Sequence, residues 1–111
     1  MVRKLADCIA DALHEIAYLR KLLSAHSRTA LLEDETLNNA MVYSLLKLTE
    51  ACRHFPAELT DLYPAIAWRA VTGFGNRLRH EYFALADERV LQVAETELDA
   101  LEAALKENCK I

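Results

Sequence analysis

The sequence of 111 residues predicts an all-α fold, an antiparallel bundle of four to five helices. Three observations predict it. Apolar residues recur at helical spacing along most of the chain, only two glycines and two prolines are present for turns, and hydrophobic residues make up 53% of the chain. The length and composition fit one core, and we expect a single domain over residues 1–111.

The first half of the chain predicts two long helices. The first is expected over residues 3–26, where apolar side chains recur every three or four positions. A polar and charged connection over residues 27–37 follows. Asp34 is a suitable N-cap for the second helix, which is expected to end near Pro56.

The second half predicts two more helices. Pro56 and Pro64 bracket a short segment, and Pro64 suits the first turn of a third helix that includes Trp68. Asp87 and Glu88 are expected to open a last helix with its apolar residues on one face. Such bundles often pair, and the large apolar fraction on so few residues favours a homodimer.

The distribution of charge along the chain limits the kinds of partner that the protein is expected to bind. The net charge is −4, which does not suit a protein coated in nucleic acid. However, no acidic residue occurs between Asp61 and Glu81, whereas arginines and a histidine cluster there. A local cationic site on an acidic protein predicts a partner that carries phosphate.

Membrane and metal sites are not expected. No apolar run is long enough to span a bilayer, and the first residues do not form a secretory signal, so a cytoplasmic protein is predicted. Cys8, Cys52 and Cys109 have no zinc-finger spacing and are expected to be free thiols. We expect no metal and no cofactor.

Four polar side chains of the third helix are expected to share one face. Asn76 and His80 are four residues apart, and Arg77 lies three residues before His80. Arg69 lies eleven residues before His80, three turns away on nearly the same stripe. We call Arg69, Asn76, Arg77 and His80 the polar strip.

Arg79 and Tyr82 are close to the polar strip in the sequence but are not expected to lie on its face of an unbroken helix. Arg79 points in another direction, and Tyr82 joins the site only if the helix ends near His80. Gly73 and Gly75 each cost on the order of 1 kcal/mol against alanine inside a helix. They therefore indicate close helix packing or room for a ligand.

The polar strip suits phosphoryl transfer on RNA without a metal. A histidine can take the proton of a 2′-hydroxyl or protonate the leaving oxygen, and guanidinium groups can stabilise the charge that develops on the phosphate. Asn76 can orient the phosphate or the imidazole. The alternative is that His80 is a cap or surface residue and that the arginines only suit the negative end of the helix dipole.

Residues 73–83, GFGNRLRHEYF, resemble the HepT-like toxins of the HEPN superfamily. The hallmark of that family is Arg, four to six residues, His, one residue and Tyr, and the resemblance extends over nearly the whole chain. It implies a helical homodimer whose two motifs face each other, and a metal-independent ribonuclease acting on tRNA or mRNA. It also implies a minimal nucleotidyltransferase antitoxin, which binds the toxin and transfers AMP to the motif tyrosine.

The resemblance assigns roles residue by residue. It makes His80 the catalytic histidine, Tyr82 the AMP acceptor and Asn76 the polar residue that follows the motif arginine. Arg77 completes the expected catalytic set, and Arg69 and Arg79 are expected to bind the substrate phosphates.

One position departs from the family pattern. The first motif arginine falls where this chain has Gly75, so we expect catalysis to be impaired. Three explanations compete: a naturally weakened toxin, the use of Arg77 in shifted geometry, or a substitution that made a lethal protein expressible. A ribonuclease, an inactive partner of a nucleotidyltransferase and a purely structural bundle therefore all remain open.

Overall fold

The computed structural model of the protein describes residues 4–82, 85 and 87–108. Every regular element within these ranges is helical, which confirms the predicted all-α class. The described helices are α1 (Leu5–Ala25), α2 (Arg28–Glu33), α3 (Glu35–Arg53), α4 (Ala57–Thr60), α5 (Trp68–His80), α6 (Asp87–Thr96) and α7 (Leu98–Glu107).

Helix α3 lies at the centre of the packing, where it contacts α1, α2, α5 and α6. Its start is capped as predicted, because the Asp34 carboxylate accepts a hydrogen bond of 3.1 Å from the backbone N–H of Leu37. Most core side chains come from α1, α2, α3, α6 and α7, and Leu59 of α4 and Leu78 of α5 add to them. The largest fully buried ones are Ile16, Leu19, Leu31, Met41, Leu45, Leu48, Leu91 and Leu105.

The predicted connection over residues 27–37 contains a short helix, α2. Ser27 caps it by accepting a hydrogen bond of 3.1 Å from the backbone N–H of Ala30. Leu31 is the apolar residue of this helix that enters the core. A single buried side chain in six residues is too little periodicity to be detected in the sequence.

The predicted last helix begins at Asp87, as expected, but it is divided at Glu97 into α6 and α7. The division has a packing reason, since α6 contacts α2 and α3 whereas α7 contacts α1. The apolar face is continuous across the break, and Ala94 and Leu98 are both buried. Periodicity alone therefore predicted one helix.

Helix α5 begins at Trp68, so the prediction that Pro64 lies in its first turn is wrong. The Trp68 indole N–H donates back to the carbonyl oxygens of Thr60 (3.1 Å) and Tyr63 (3.2 Å). Its ring packs edge-on against Phe55, with the ring centroids 6.0 Å apart. These contacts fix the residues before Trp68 as turns and set the position of α5 against α3.

Among the helices of the described residues, none combines the length and the apolar character needed to cross a membrane.

Candidate functional site

The polar strip lies on the outer face of α5. Arg69, Asn76, Arg77 and His80 are all exposed. Helix α5 packs on α3 through its opposite face, where Leu78 is buried. The amphipathic pattern therefore turns the polar strip toward solvent, where a large substrate can reach it.

His80 is the last residue of α5. The backbone N–H of Glu81 still donates to the Arg77 carbonyl oxygen at 2.7 Å, as in a helix, but the backbone of Glu81 itself leaves the helical conformation, so α5 ends at His80. Within the described residues the imidazole makes no hydrogen bond or ion pair. Its ring nitrogens are therefore available for proton transfer to a bound molecule.

Arg77 lies beside His80 and is only weakly engaged. Its Nε approaches a carboxylate oxygen of Glu81 at 3.3 Å, and both side chains are more than half exposed. Exposed ion pairs of this kind contribute about 0–1 kcal/mol. A phosphate can therefore replace Glu81 at little cost.

Arg79 is held away from the polar strip, as predicted from its direction. Its guanidinium donates to Glu50 on α3 at 2.9 Å and contacts the Asn76 Oδ1 atom at 3.4 Å. Hydrogen bonding from Arg53, with the charges of Arg53 and Arg79, holds the pKa of the Glu50 carboxyl below its ordinary value. Arg79 can bind a phosphate only after it leaves Glu50, and the amide of Asn76 faces Arg79.

Tyr82 follows the end of α5, which meets the condition under which it was expected to join the site. The side chain is half-buried. Its hydroxyl donates to the Asn38 Oδ1 atom on α3 at 3.3 Å. The motif tyrosine is therefore attached to the helix that supports α5.

Comparison with known proteins gives the chain its family. The family model of HepT-like ribonucleases matches residues 12–107. The chain belongs to the HepT-like ribonuclease family. This confirms the predicted family, and the match covers the described helices that form the core and the site.

A relative of this HepT-like chain occurs in Caldanaerobacter subterraneus subsp. tengcongensis. It carries the name "Putative RNase TTE0752" and is 27% identical over 95 residues, which are 86% of this chain and 85% of that protein. No solved structure matches the chain significantly.

The two glycines of the HepT-like motif have different surroundings. A Cβ atom at Gly73 would meet nothing within 4 Å. A Cβ atom at Gly75 would lie 2.5 Å from Thr49 Cβ and closer still to Thr49 Oγ1. Gly75 is therefore a point where the backbone of α5 lies close against α3, whereas Gly73 faces open space in the middle of the polar strip.

This packing bears on the missing motif arginine. Thr49 cannot turn aside freely, because its hydroxyl donates to the carbonyl oxygens of Leu45 (3.0 Å) and Leu46 (3.1 Å). An arginine at position 75 does not fit between α3 and α5 in this arrangement. Gly75 is therefore part of the packing between α5 and α3 in this chain.

Two residues of the site region were not predicted, Asn38 and Glu50. Glu50 holds Arg79, and Asn38 holds Tyr82. Asn38 carried a signal, since it lies three residues before Met41 on the buried and largely apolar face of α3. A polar residue on such a stripe requires a hydrogen-bond partner.

The cysteines and acids of the described residues offer no metal site. No group of three His, Cys, Asp or Glu side chains that could hold an ion occurs among them. Cys8 and Cys52 are buried free thiols, and Cys109 lies outside the described residues. Burial raises the pKa of the Cys52 thiol to about 12, so at neutral pH it is protonated and unsuited to nucleophilic chemistry.

Proposed function

We propose that the chain is the toxin of a HEPN/MNT toxin–antitoxin pair and acts as a metal-independent endoribonuclease on tRNA or mRNA. The observation that carries this proposal is the polar strip, an exposed row of cationic and amide groups that ends in His80, whose imidazole has no hydrogen bond to the described part of the chain. Membership of the HepT-like ribonuclease family supports it.

His80 is proposed as the acid or base of the cleavage. The 2′-oxygen of the substrate attacks the adjacent phosphorus, a new P–O bond forms, and the bond to the 5′-oxygen breaks. His80 takes the proton from the 2′-hydroxyl or gives a proton to the departing 5′-oxygen. Its position at the exposed end of α5 lets a single strand of RNA approach the ring from solvent.

Arg77 and Arg69 are proposed to neutralise the phosphate, and Asn76 to orient it. Arg77 is three residues from His80, and its contact to Glu81 is exposed and readily exchanged. Arg79 contributes only if the substrate draws it from Glu50. Since position 75 provides no guanidinium, we expect cleavage to be slower than with the motif arginine by roughly 10²–10³-fold.

Cleavage in the presence of EDTA tests the ribonuclease. A labelled RNA should be cut slowly by the unchanged chain, and His80→Ala should abolish the cutting. The matched control is His26→Ala, which removes another exposed histidine, at the end of α1. Equal cleavage by unchanged chain and His80→Ala would contradict the assignment.

Neutralisation is proposed to occur by binding of a minimal nucleotidyltransferase and transfer of AMP to Tyr82. Mass spectrometry after incubation with ATP, magnesium and that enzyme should find an AMP-sized addition, which Tyr82→Phe should lose. Tyr43→Phe is the control, because Tyr43 is 61% exposed and lies on the outer side of α3. An addition that survives in Tyr82→Phe would assign the acceptor elsewhere.

The packing at Gly75 favours a second candidate function, an inactive binding partner of the nucleotidyltransferase. The motif position is filled by the contact between α5 and α3 and provides no group for catalysis. In that case Tyr82 receives AMP while RNA stays intact under every condition.

We further propose, as predicted from the sequence, a single domain that acts in the cytoplasm as a homodimer.

A further inference from the structure

The contact between Tyr82 and Asn38 joins residues that are 44 positions apart. Asn38 is 7% exposed and uses both ends of its amide. Its Nδ2 donates to the Leu31 carbonyl oxygen at 3.2 Å, and its Oδ1 accepts from the Tyr82 hydroxyl at 3.3 Å. A backbone carbonyl can only accept, so the orientation of the amide is fixed and its oxygen must face Tyr82.

This arrangement directs the Tyr82 oxygen into the protein. In AMP transfer the phenolic oxygen attacks the α-phosphorus of ATP, a P–O bond forms, the bond to pyrophosphate breaks, and the phenolic proton leaves to solvent. An oxygen that faces the Asn38 amide is not oriented toward a nucleotide bound by another protein. The side chain must first leave Asn38.

Tyr82 also forms the turn that follows α5. The backbone N–H of Leu85 donates to the Tyr82 carbonyl oxygen at 3.1 Å, and His80 lies two residues before it. Once AMP is attached, the oxygen has no hydrogen to donate to Asn38. The Asn38 oxygen then loses this donor, and Tyr82 cannot return.

We propose that Asn38 is a positioning residue that restrains the Tyr82 hydroxyl, so that their hydrogen bond must open before AMP is transferred and stays open afterwards. This inference rests on the proposed role of Tyr82 as AMP acceptor. The restraint itself can be measured without the nucleotidyltransferase.

Acetylation by N-acetylimidazole, followed for each tyrosine by peptide mass spectrometry, tests the restraint. Tyr18 and Tyr43 are 40% and 61% exposed and should react rapidly. Tyr63 is an internal reference, because its hydroxyl is half-buried and accepts a hydrogen bond of 2.8 Å from Asn108. In the folded chain Tyr82 should react more slowly than Tyr43, and in urea the two should react alike.

Asn38→Ala should accelerate the acetylation of Tyr82 by roughly two- to tenfold, the loss expected for one hydrogen bond. Tyr63 should not change. Asn39→Ala is the matched control, since Asn39 is the next residue of α3 and is exposed. It should leave every tyrosine as in the unchanged chain.

Three results would overturn the restraint: equal rates for folded Tyr82 and Tyr43, no acceleration in Asn38→Ala, or the same acceleration of Tyr63, which indicates general loosening. The first needs only the unchanged chain, so it decides even if Asn38→Ala fails to fold. With the nucleotidyltransferase, Asn38→Ala should accelerate AMP transfer by a similar factor, and slower transfer would overturn the opening step. Faster acetylation with no AMP on any chain would instead refute the proposed function and leave the restraint in place.

Discussion

Gly75 and Gly73 differ only in what lies against them, and this difference makes a prediction. Gly75→Ala should lower the free energy of unfolding by about 1–3 kcal/mol, because the new Cβ atom overlaps Thr49 and forces α5 away from α3. Gly73→Ala should leave stability unchanged or raise it by up to about 1 kcal/mol, since the site is open and alanine favours a helix. Urea unfolding followed by circular dichroism measures both.

The pair of variants controls for helix propensity, because both make the same chemical change in one helix. If Gly75→Ala proved as stable as Gly73→Ala, the close approach of α5 to Thr49 would be refuted. An arginine at position 75 would then become compatible with the fold.

At the level of single residues, the sequence predicted which side chains share a helix face but not which residues of other helices they contact. Helical spacing predicted that His80, Asn76 and Arg77 share one face, and the three residues do lie on one helix, where all are exposed. Spacing could not distinguish Gly73 from Gly75, since the difference is the presence of Thr49 on another helix. The bond from Tyr82 to Asn38 was equally hidden, because long-range pairing leaves no periodic pattern in one sequence.

Helix α3 supports the site through its contact with α5. Glu50 of α3 is part of that contact, because it forms an ion pair with Arg79 of α5. Glu50→Gln should increase the affinity for RNA by roughly two- to fivefold at low salt, because Arg79 and Arg53 lose a competing carboxylate. The gain should shrink as salt rises. Fluorescence anisotropy with labelled RNA in the His80→Ala background measures binding without cleavage.

Glu58→Gln is the matched control, since it removes the same charge from an exposed glutamate on α4. Equal gains from the two variants would indicate a general effect of net charge. The role of Glu50 as a local competitor of the phosphates would then be rejected.

At the level of elements, long amphipathic helices were predicted well and their interruptions poorly. Helices α1 and α3 lie where their apolar stripes predicted, because packing and pattern agree over many turns. The prediction of a helix start at Pro64 was wrong. A proline favours a helix start by its local conformation, whereas the contacts of Trp68 with Thr60 and Phe55 determine where α5 begins. Helices α6 and α7 share one apolar pattern and differ only in the helices they contact.

On the scale of the whole molecule, the polar strip places several cationic side chains together on a protein whose net charge is negative. The net charge is −4, whereas the polar strip carries two arginines and a histidine. If two copies place their polar strips opposite each other, the cationic groups of both chains line one cleft. A second chain would thereby supply the density of positive charge that a single strip lacks.

The predicted homodimer can be tested at Gly73, the open position within the polar strip. Gly73→Trp should leave the single chain folded, because no atom lies within 4 Å of the new Cβ position, but it should obstruct a second chain that faces this strip. Size-exclusion chromatography with light scattering should give twice the mass of the chain for the unchanged protein and the single mass for Gly73→Trp. Glu58→Trp, on exposed α4, should remain dimeric. A dimer that persists in Gly73→Trp would place the interface on another face, and His80 would then act without a facing copy.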